Sequence, residues 1–206
     1  FGLTDIADVS ASYQARGNLT QIHLKTPNGE TPFELHVLGM HNVHNALAAS
    51  AVSVALGISN ADIATGLAGF HAVKGRLNWL QGCNDAVLID DTYNANPDSM
   101  KAAIDVLASQ KATQIFVMGD MAELGEDAPQ MHADIGLYAK QKGIDQLFAF
   151  GELGQLAAKA FGANAQHCST LEALVASLKP LMQKDVTVLV KGSRFMQMER
   201  VVNQLI

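Results

Sequence analysis

The chain has 206 residues, 49% of them hydrophobic, which supports one large domain or two small ones with real cores and argues against extensive disorder. Its net charge of -6 and pI near 5.6 weigh against nucleic acid or an anionic membrane as the main partner, because both select a basic face. Cys83 and Cys168 lack CxxC spacing, which disfavours a disulfide scaffold or structural zinc site, and no apolar run has the length of a bilayer span or the pattern of a signal peptide, so a cytoplasmic protein is expected; a monomer is also expected, although no sequence feature fixes the oligomeric state.

The first residue is Phe1 rather than Met and sits in what reads as the middle of a domain, so a fragment of a longer protein is expected. Residues 20–26 and 32–38 alternate in polarity around Pro27-Asn28-Gly29-Glu30, and an Asn-Gly turn between such runs predicts a β-hairpin. Residues 42–56 are alanine-rich and apolar on most faces, as in a buried helix closed by Gly57. Ser59-Asn60-Ala61-Asp62 supplies an N-cap for a second helix ending near Phe70. Residues 71–84 read as a loop carrying Gly75, Arg76, Trp79 and Gly82, with a domain boundary near Asn78, giving domains 1–78 and 79–206. Beyond it, strands at 86–91, 114–119, 146–150 and 186–190 alternate with helices at 97–109, 128–142, 153–161, 171–182 and 194–205, and residues 164–168 suggest one more short strand. Asn96 is a good N-cap and Pro97 suits a first helical turn.

Three of these strands run from apolar residues straight into polar corners: Val87-Leu88-Ile89-Asp90-Asp91-Thr92-Tyr93-Asn94, Ile115-Phe116-Val117-Met118-Gly119-Asp120 and Val186-Thr187-Val188-Leu189-Val190-Lys191-Gly192-Ser193. Short apolar runs followed by amphipathic stretches imply a doubly wound, mostly parallel sheet buried on both faces. In such sheets ligands bind outside the carboxyl ends of the strands, so the corners mark a ligand edge.

Several side chains there and in the preceding segment have both a functional and a plainer reading. Asn42 and Asn45 share one helical face and could read an adenine edge, or they could cap the helix and satisfy nearby backbone. Arg76 could clamp a phosphate with a forked pair of hydrogen bonds, or be a solvated charge. Asp91 could accept from ribose hydroxyls, or bond loop N–H groups. Asp120, Glu123, Glu126 and Asp127 could hold a metal or an amine, but acids also favour a helix start. Lys191-Gly192-Ser193-Arg194 places two cations and a hydroxyl where a carboxylate could bind. The chain has no Gly-Lys-Ser or Gly-Lys-Thr, no GxGxxG, no GxSxG and no HExxH, and a stand-alone NTPase or dehydrogenase is disfavoured.

In order along the chain, Gly39-Met40-His41-Asn42-Val43-His44-Asn45-Ala46-Leu47-Ala48-Ala49, Gly75-Arg76-Leu77 and Asp90-Asp91-Thr92-Tyr93-Asn94-Ala95-Asn96-Pro97-Asp98-Ser99 resemble the signature of the Mur ligases. Gly119-Asp120-Met121-Ala122-Glu123-Leu124-Gly125-Glu126 and Lys191-Gly192-Ser193-Arg194 resemble the branch of that family that adds D-alanyl-D-alanine. The resemblance covers essentially the whole chain. It implies a Rossmann-like C-terminal domain preceded by the β-hairpin and helical tail of a central ATPase domain. It also implies ATP-dependent joining of D-Ala-D-Ala to a UDP-N-acetylmuramoyl-tripeptide through an acyl phosphate, with Mg2+ as cofactor.

By that similarity Asn42 and Asn45 lie at the adenine, Arg76 at the phosphates and Asp91 at the ribose, while Tyr93, Asn94 and Asn96 line the same nucleotide cleft. Arg76 and Asp91 are the residues on which turnover is expected to depend most, and Lys191, Ser193 and Arg194 fall in the family's stretch for the peptide or dipeptide substrate. His132 falls in a helix that often carries histidine in such ligases and receives no role. The family's phosphate loop, its modified lysine and its Mg2+ ligands have no counterpart in these residues, so the chain alone is expected not to ligate. A folylpolyglutamate-synthetase-like ligase shares the general plan and remains an alternative. A non-catalytic Rossmann-like binding module is another, in which Arg76→Ala and Asp91→Ala would leave every activity intact.

Overall fold

The structure, a computed structural model, describes residues 1–4, 6–17, 19–70 and 73–206. The chain divides into two compact units, Phe1–Ala72 and Val73–Ile206. No helix among the described residues is long and apolar enough to cross a membrane.

In the first unit, β1 (Ser10–Arg16), β2 (Leu19–Thr26) and β3 (Gly29–Leu35) form an antiparallel meander. The hairpin turn lies one residue earlier than its sequence suggests: Gly29 pairs with Thr26, leaving Pro27 and Asn28 as the loop, and Thr26 Oγ1 accepts from the Asn28 N–H at 3.0 Å. β1 is absent from the sequence reading because only Ser10 and Ala11 of its seven residues are buried, so no alternation marks it. Helix α1 (Met40–Ala55) buries Val43, Ala46, Leu47 and Ser50, a stripe at helical spacing that joins Ile22, Leu24 and Leu35 in this unit's core. It ends in a left-handed Gly57, whose N–H reaches Val54 O while Ile58 N–H reaches Ser53 O, the double bond of a Schellman cap. Ser59 Oγ then accepts from the Asp62 N–H at 3.2 Å and starts α2 (Asn60–Ala68).

In the second unit, β4 (Asn78–Gln81), β5 (Val87–Asp91), β6 (Thr113–Gly119), β7 (Gln146–Phe150), β8 (Ala165–Cys168) and β9 (Val186–Lys191) form one sheet in the order β4-β5-β9-β6-β7-β8. All neighbours are parallel except β4 on β5. β4 lies within residues expected to be loop. Its four residues, Asn-Trp-Leu-Gln, show no buried and exposed alternation, yet pairing of Asn78 with Asp90 and Gln81 with Val87 makes it the antiparallel edge. That pairing ties residues 78–81 to the sheet, and the division into units falls after Ala72, ahead of Asn78.

Helices α6 (Leu171–Leu178) and α7 (Glu199–Leu205) share a core with Leu88, Val117, Val188 and Val190. Ile89, Phe116, Met118 and Leu189, the alternate residues of the same strands, are fully buried on the other face. Helices α3 (Pro97–Ala108), α4 (Ala128–Gln141) and α5 (Gly154–Phe161) pack there, completing a three-layer α/β/α fold. Two helices are shorter than their sequence suggests. The stretch 171–182 leaves the α-helix at Leu178 and finishes as a 3-10 turn over Lys179–Leu181, because Pro180 has no N–H to continue it. The stretch 194–205 begins as a 3-10 turn, Arg194–Met196, and is broken by Gln197 at φ +49° before α7 starts. The return through α6 inserts β9 between β5 and β6, so the polar corners of those three strands become neighbours.

Candidate functional site

The register of β5 on β9 sets Asp91 beside Lys191 at the carboxyl ends of the two strands. Lys191, only 3% exposed, donates from Nζ to Asp91 Oδ2 at 2.5 Å and to the Asn94 carbonyl at 2.9 Å. Asp91 Oδ1 accepts the Leu77 N–H at 3.0 Å. A buried ammonium is tolerable only with such a partner, and removing Asp91 would leave the Lys191 charge without its carboxylate. Beside them Asp90 Oδ1 takes both the N–H and the hydroxyl of Thr92, at 3.2 and 2.6 Å, which turns the chain sharply out of the strand.

Gly75 makes the next layer possible. Its φ is +77°, and a Cβ there would sit 3.0 Å from the Tyr93 nitrogen, so a side chain would push apart the hydrogen bond from Tyr93 N–H to Gly75 O at 2.9 Å. That bond brings Arg76 over the Tyr93 ring, its guanidinium carbon 4.3 Å from the centroid. Both side chains are exposed, so this corner offers a cation and a flat ring to an anionic, planar ligand such as a nucleotide.

At the end of β9, Ser193 N–H donates to Asp120 O at 3.0 Å, and the Ser193 hydroxyl is buried without a partner. Arg194 donates its N–H to Asn94 Oδ1 at 3.4 Å, and its guanidinium pairs with Glu199 Oε1 at 3.0 Å. The second Glu199 oxygen is likewise buried and unpartnered. One corner of the second unit therefore gathers Arg76, Asp91, Tyr93, Asn94, Lys191, Ser193 and Arg194. Asn96, next in line, caps α3: its Oδ1 accepts the Ser99 N–H at 2.8 Å and Ser99 Oγ accepts the Asn96 N–H at 3.0 Å. In the first unit, Asn42 Nδ2 donates to the Leu38 carbonyl at 2.8 Å at the start of α1, while Asn45 is exposed one turn on.

The acidic cluster separates into two parts. Glu123, Glu126 and Asp127 are exposed before α4. Asp120 instead accepts from the Leu153 and Gly154 N–H groups at 3.2 and 2.7 Å, capping α5 from the neighbouring strand end. Buried His132 accepts the Met121 N–H at Nε2, 2.9 Å, and contacts Ala128 O through Nδ1 at 2.7 Å, so it fastens the loop after β6 to α4. Sequence patterns gave no sign of these roles for Asp120 and His132, nor of the Leu77 amide, because each depends on contacts between distant segments. Among the described residues no three His, Cys, Asp or Glu side chains form a set that would hold a metal ion, and no Mg2+ ligand is assigned to this chain.

A family profile described as "Mur ligase, glutamate ligase domain" matches residues 75–194. The UDP-N-acetylmuramoyl-tripeptide--D-alanyl-D-alanine ligase of Escherichia coli (strain K12) is 42% identical over 188 residues, covering 90% of this chain and 41% of that protein. A crystal structure of MurF from Acinetobacter baumannii superposes with a TM-score of 0.90 at 36% identity, over 98% of this chain and 45% of that one. The MurF ligase from Thermotoga maritima, solved in complex with ADP, shares the fold with a TM-score of 0.81 at 23% identity, over 97% of this chain and 46% of that one. The chain thus spans about two-fifths of the length of the curated relatives it matches. With the profile covering more than half of its residues and the strand-end corner lying inside that match, the chain belongs to the Mur ligase family.

Proposed function

We propose that the chain is part of a cytoplasmic, ATP-dependent ligase of peptidoglycan synthesis that joins D-alanyl-D-alanine to UDP-N-acetylmuramoyl-tripeptide. Residues 1–78 would be the tail of its central ATP-binding domain and residues 79–206 its C-terminal Rossmann-like domain. The observation that carries the reading is the exposed Arg76 and Tyr93 pair beside the Asp91 and Lys191 pair, at adjacent strand ends where open α/β sheets hold ligands. The names of the relatives supply the substrates.

ATP phosphorylates the peptide carboxylate to an acyl phosphate with release of ADP, and the dipeptide amine attacks the acyl carbon, forming the amide and displacing inorganic phosphate. The residues of this chain bind and orient. Arg76 clamps phosphate oxygens with its forked donors. Asp91 meets the ribose from the strand-end position where its oxygens accept from the Leu77 N–H and Lys191. Tyr93, Asn94 and Asn96 flank the nucleotide, and Asn42 and Asn45 read the adenine. Lys191 lies in the family's substrate stretch, where the unpartnered Ser193 hydroxyl and Arg194 are the groups that suit a substrate carboxylate. Such a route depends on positioning and charge stabilisation and needs no protein nucleophile. Mg2+ is expected from ligands outside these residues.

The decisive experiment measures phosphate release by the full-length parent with ATP and UDP-N-acetylmuramoyl-tripeptide, with and without D-Ala-D-Ala. The reading requires release that depends on the dipeptide. Release that ignores it would defeat the assignment.

A further inference from the structure

We propose that Lys191 is a positioning residue that acts through Asp91 to hold the 75–77 turn, and with it the Arg76 guanidinium. The functional meaning of this role rests on the ligase reading above. A lysine in a substrate-binding stretch is most simply a cation for the substrate, but this one is almost wholly buried and two of its donors are committed to Asp91 Oδ2 and the Asn94 carbonyl.

Asp91 passes the constraint on. Its other oxygen accepts the N–H of Leu77, a non-glycine residue held at φ +49°, a backbone region that L side chains adopt only when their surroundings fix them there. The Leu77 side chain is buried, so the turn is fastened from both its backbone and its side chain. Arg76 is the residue between that anchor and Gly75, whose carbonyl accepts from Tyr93, and Tyr93 in turn precedes Asn94, whose carbonyl is the second acceptor of Lys191. Both partners of the Arg76 and Tyr93 stack are therefore bracketed by contacts that converge on one ammonium. Removing that charge takes away the ammonium that holds Asp91 Oδ2, and the carboxylate shifts away from Leu77.

Hydrogen exchange followed by NMR on this chain tests the link. Lys191→Met speeds exchange of the Leu77 amide by roughly tenfold or more, as expected for loss of a hydrogen bond to a charged acceptor, while the amides of β7 keep wild-type protection. Asp91→Asn speeds the same amide, and the double variant is no faster than the faster single one, because both substitutions break one link. If Lys191→Met does not fold, Lys191→Gln, which also removes the charge while keeping a donor for the Asn94 carbonyl, carries the measurement. In the full-length ligase, Lys191→Met raises KM for ATP and leaves KM for D-Ala-D-Ala within about twofold, since a positioning residue affects the ligand of the group it positions. Unchanged Leu77 exchange, additive single effects, or a rise confined to the dipeptide KM each overturn the proposal. The exchange result does not involve ligation, so failure of dipeptide-dependent phosphate release by the wild-type enzyme would defeat the ligase reading alone.

Discussion

Side chains at the strand-end corner differ in whether their polar atoms are already committed. Arg76 has an exposed guanidinium stacked on an exposed ring, so a ligand can recruit it without breaking an internal bond. On the proposed reading, Arg76→Ala in the full-length parent is expected to weaken ATP binding by roughly 10- to 100-fold, the scale of charge-assisted hydrogen bonds, and calorimetric titration with ATP measures it. Arg76→Lys should fall between, because an ammonium keeps the charge but loses the fork and most of the stacking. Asn96 is the opposite case, with its carbonyl oxygen engaged in the capping box of α3. Asn96→Ala should cost about 1 kcal/mol in urea denaturation, and Asn96→Asp, which keeps the cap, should recover most of it. If the Asn96 amide also meets the nucleotide, Asn96→Asp retains stability while ATP affinity falls, which separates the two duties.

Elements were legible wherever burial was two-sided or a cap had its own residue type. β6 and β9 read as strands because nearly every residue faces a core, and α3 because Asn96 and Pro97 announce its start. β1 and β4 carry no such pattern; their existence depends on β2 and β5 already being in place to pair with. Contacts between helices are equally silent in sequence, and Gly136 shows the consequence. It lies inside α4, where alanine would ordinarily gain roughly 1 kcal/mol of helix propensity. Here, however, a Cβ would sit 2.0 Å from the Ala157 carbonyl oxygen of α5, far inside contact distance. Overpacking costs of about 1–3 kcal/mol or more prevail, so Gly136→Ala should lower the denaturation midpoint. At the end of β8, burial pushes the Cys168 thiol above its ordinary range, against smaller opposing effects of Ser177 and Gln166. The folded state then favours the neutral thiol: its contribution is complete below the unfolded thiol's range and is lost as pH climbs through the raised value. Thiol labelling of the native chain near neutral pH should accordingly modify half-buried Cys83 well before Cys168, and mass spectrometry of the labelled peptides reads the order.

At the level of the whole molecule, strand order was the property sequence could not disclose. Each corner residue could be found in the sequence because it ends a strand, but Asp91 and Lys191 are 100 residues apart, and only the insertion of β9 beside β5 makes them partners. The same topology explains why a corner this complete is still expected to be catalytically silent by itself. It supplies an exposed arginine, a ring and a hydroxyl to the ligand edge, whereas phosphoryl transfer also needs a cradle of backbone N–H groups and a metal ion to offset the charge on the phosphates. The 206 residues contain no Gly-Lys-Ser or Gly-Lys-Thr phosphate loop, and the described residues gather no metal-ligand set. Supplied with ATP, Mg2+, UDP-N-acetylmuramoyl-tripeptide and D-Ala-D-Ala, the chain should therefore release no phosphate above background, while ATP titrated into it should give at most weak binding that Arg76→Ala abolishes. Dipeptide-dependent turnover by these residues alone would mean that the corner performs the transfer without a phosphate loop, and would overturn the division of labour proposed for it.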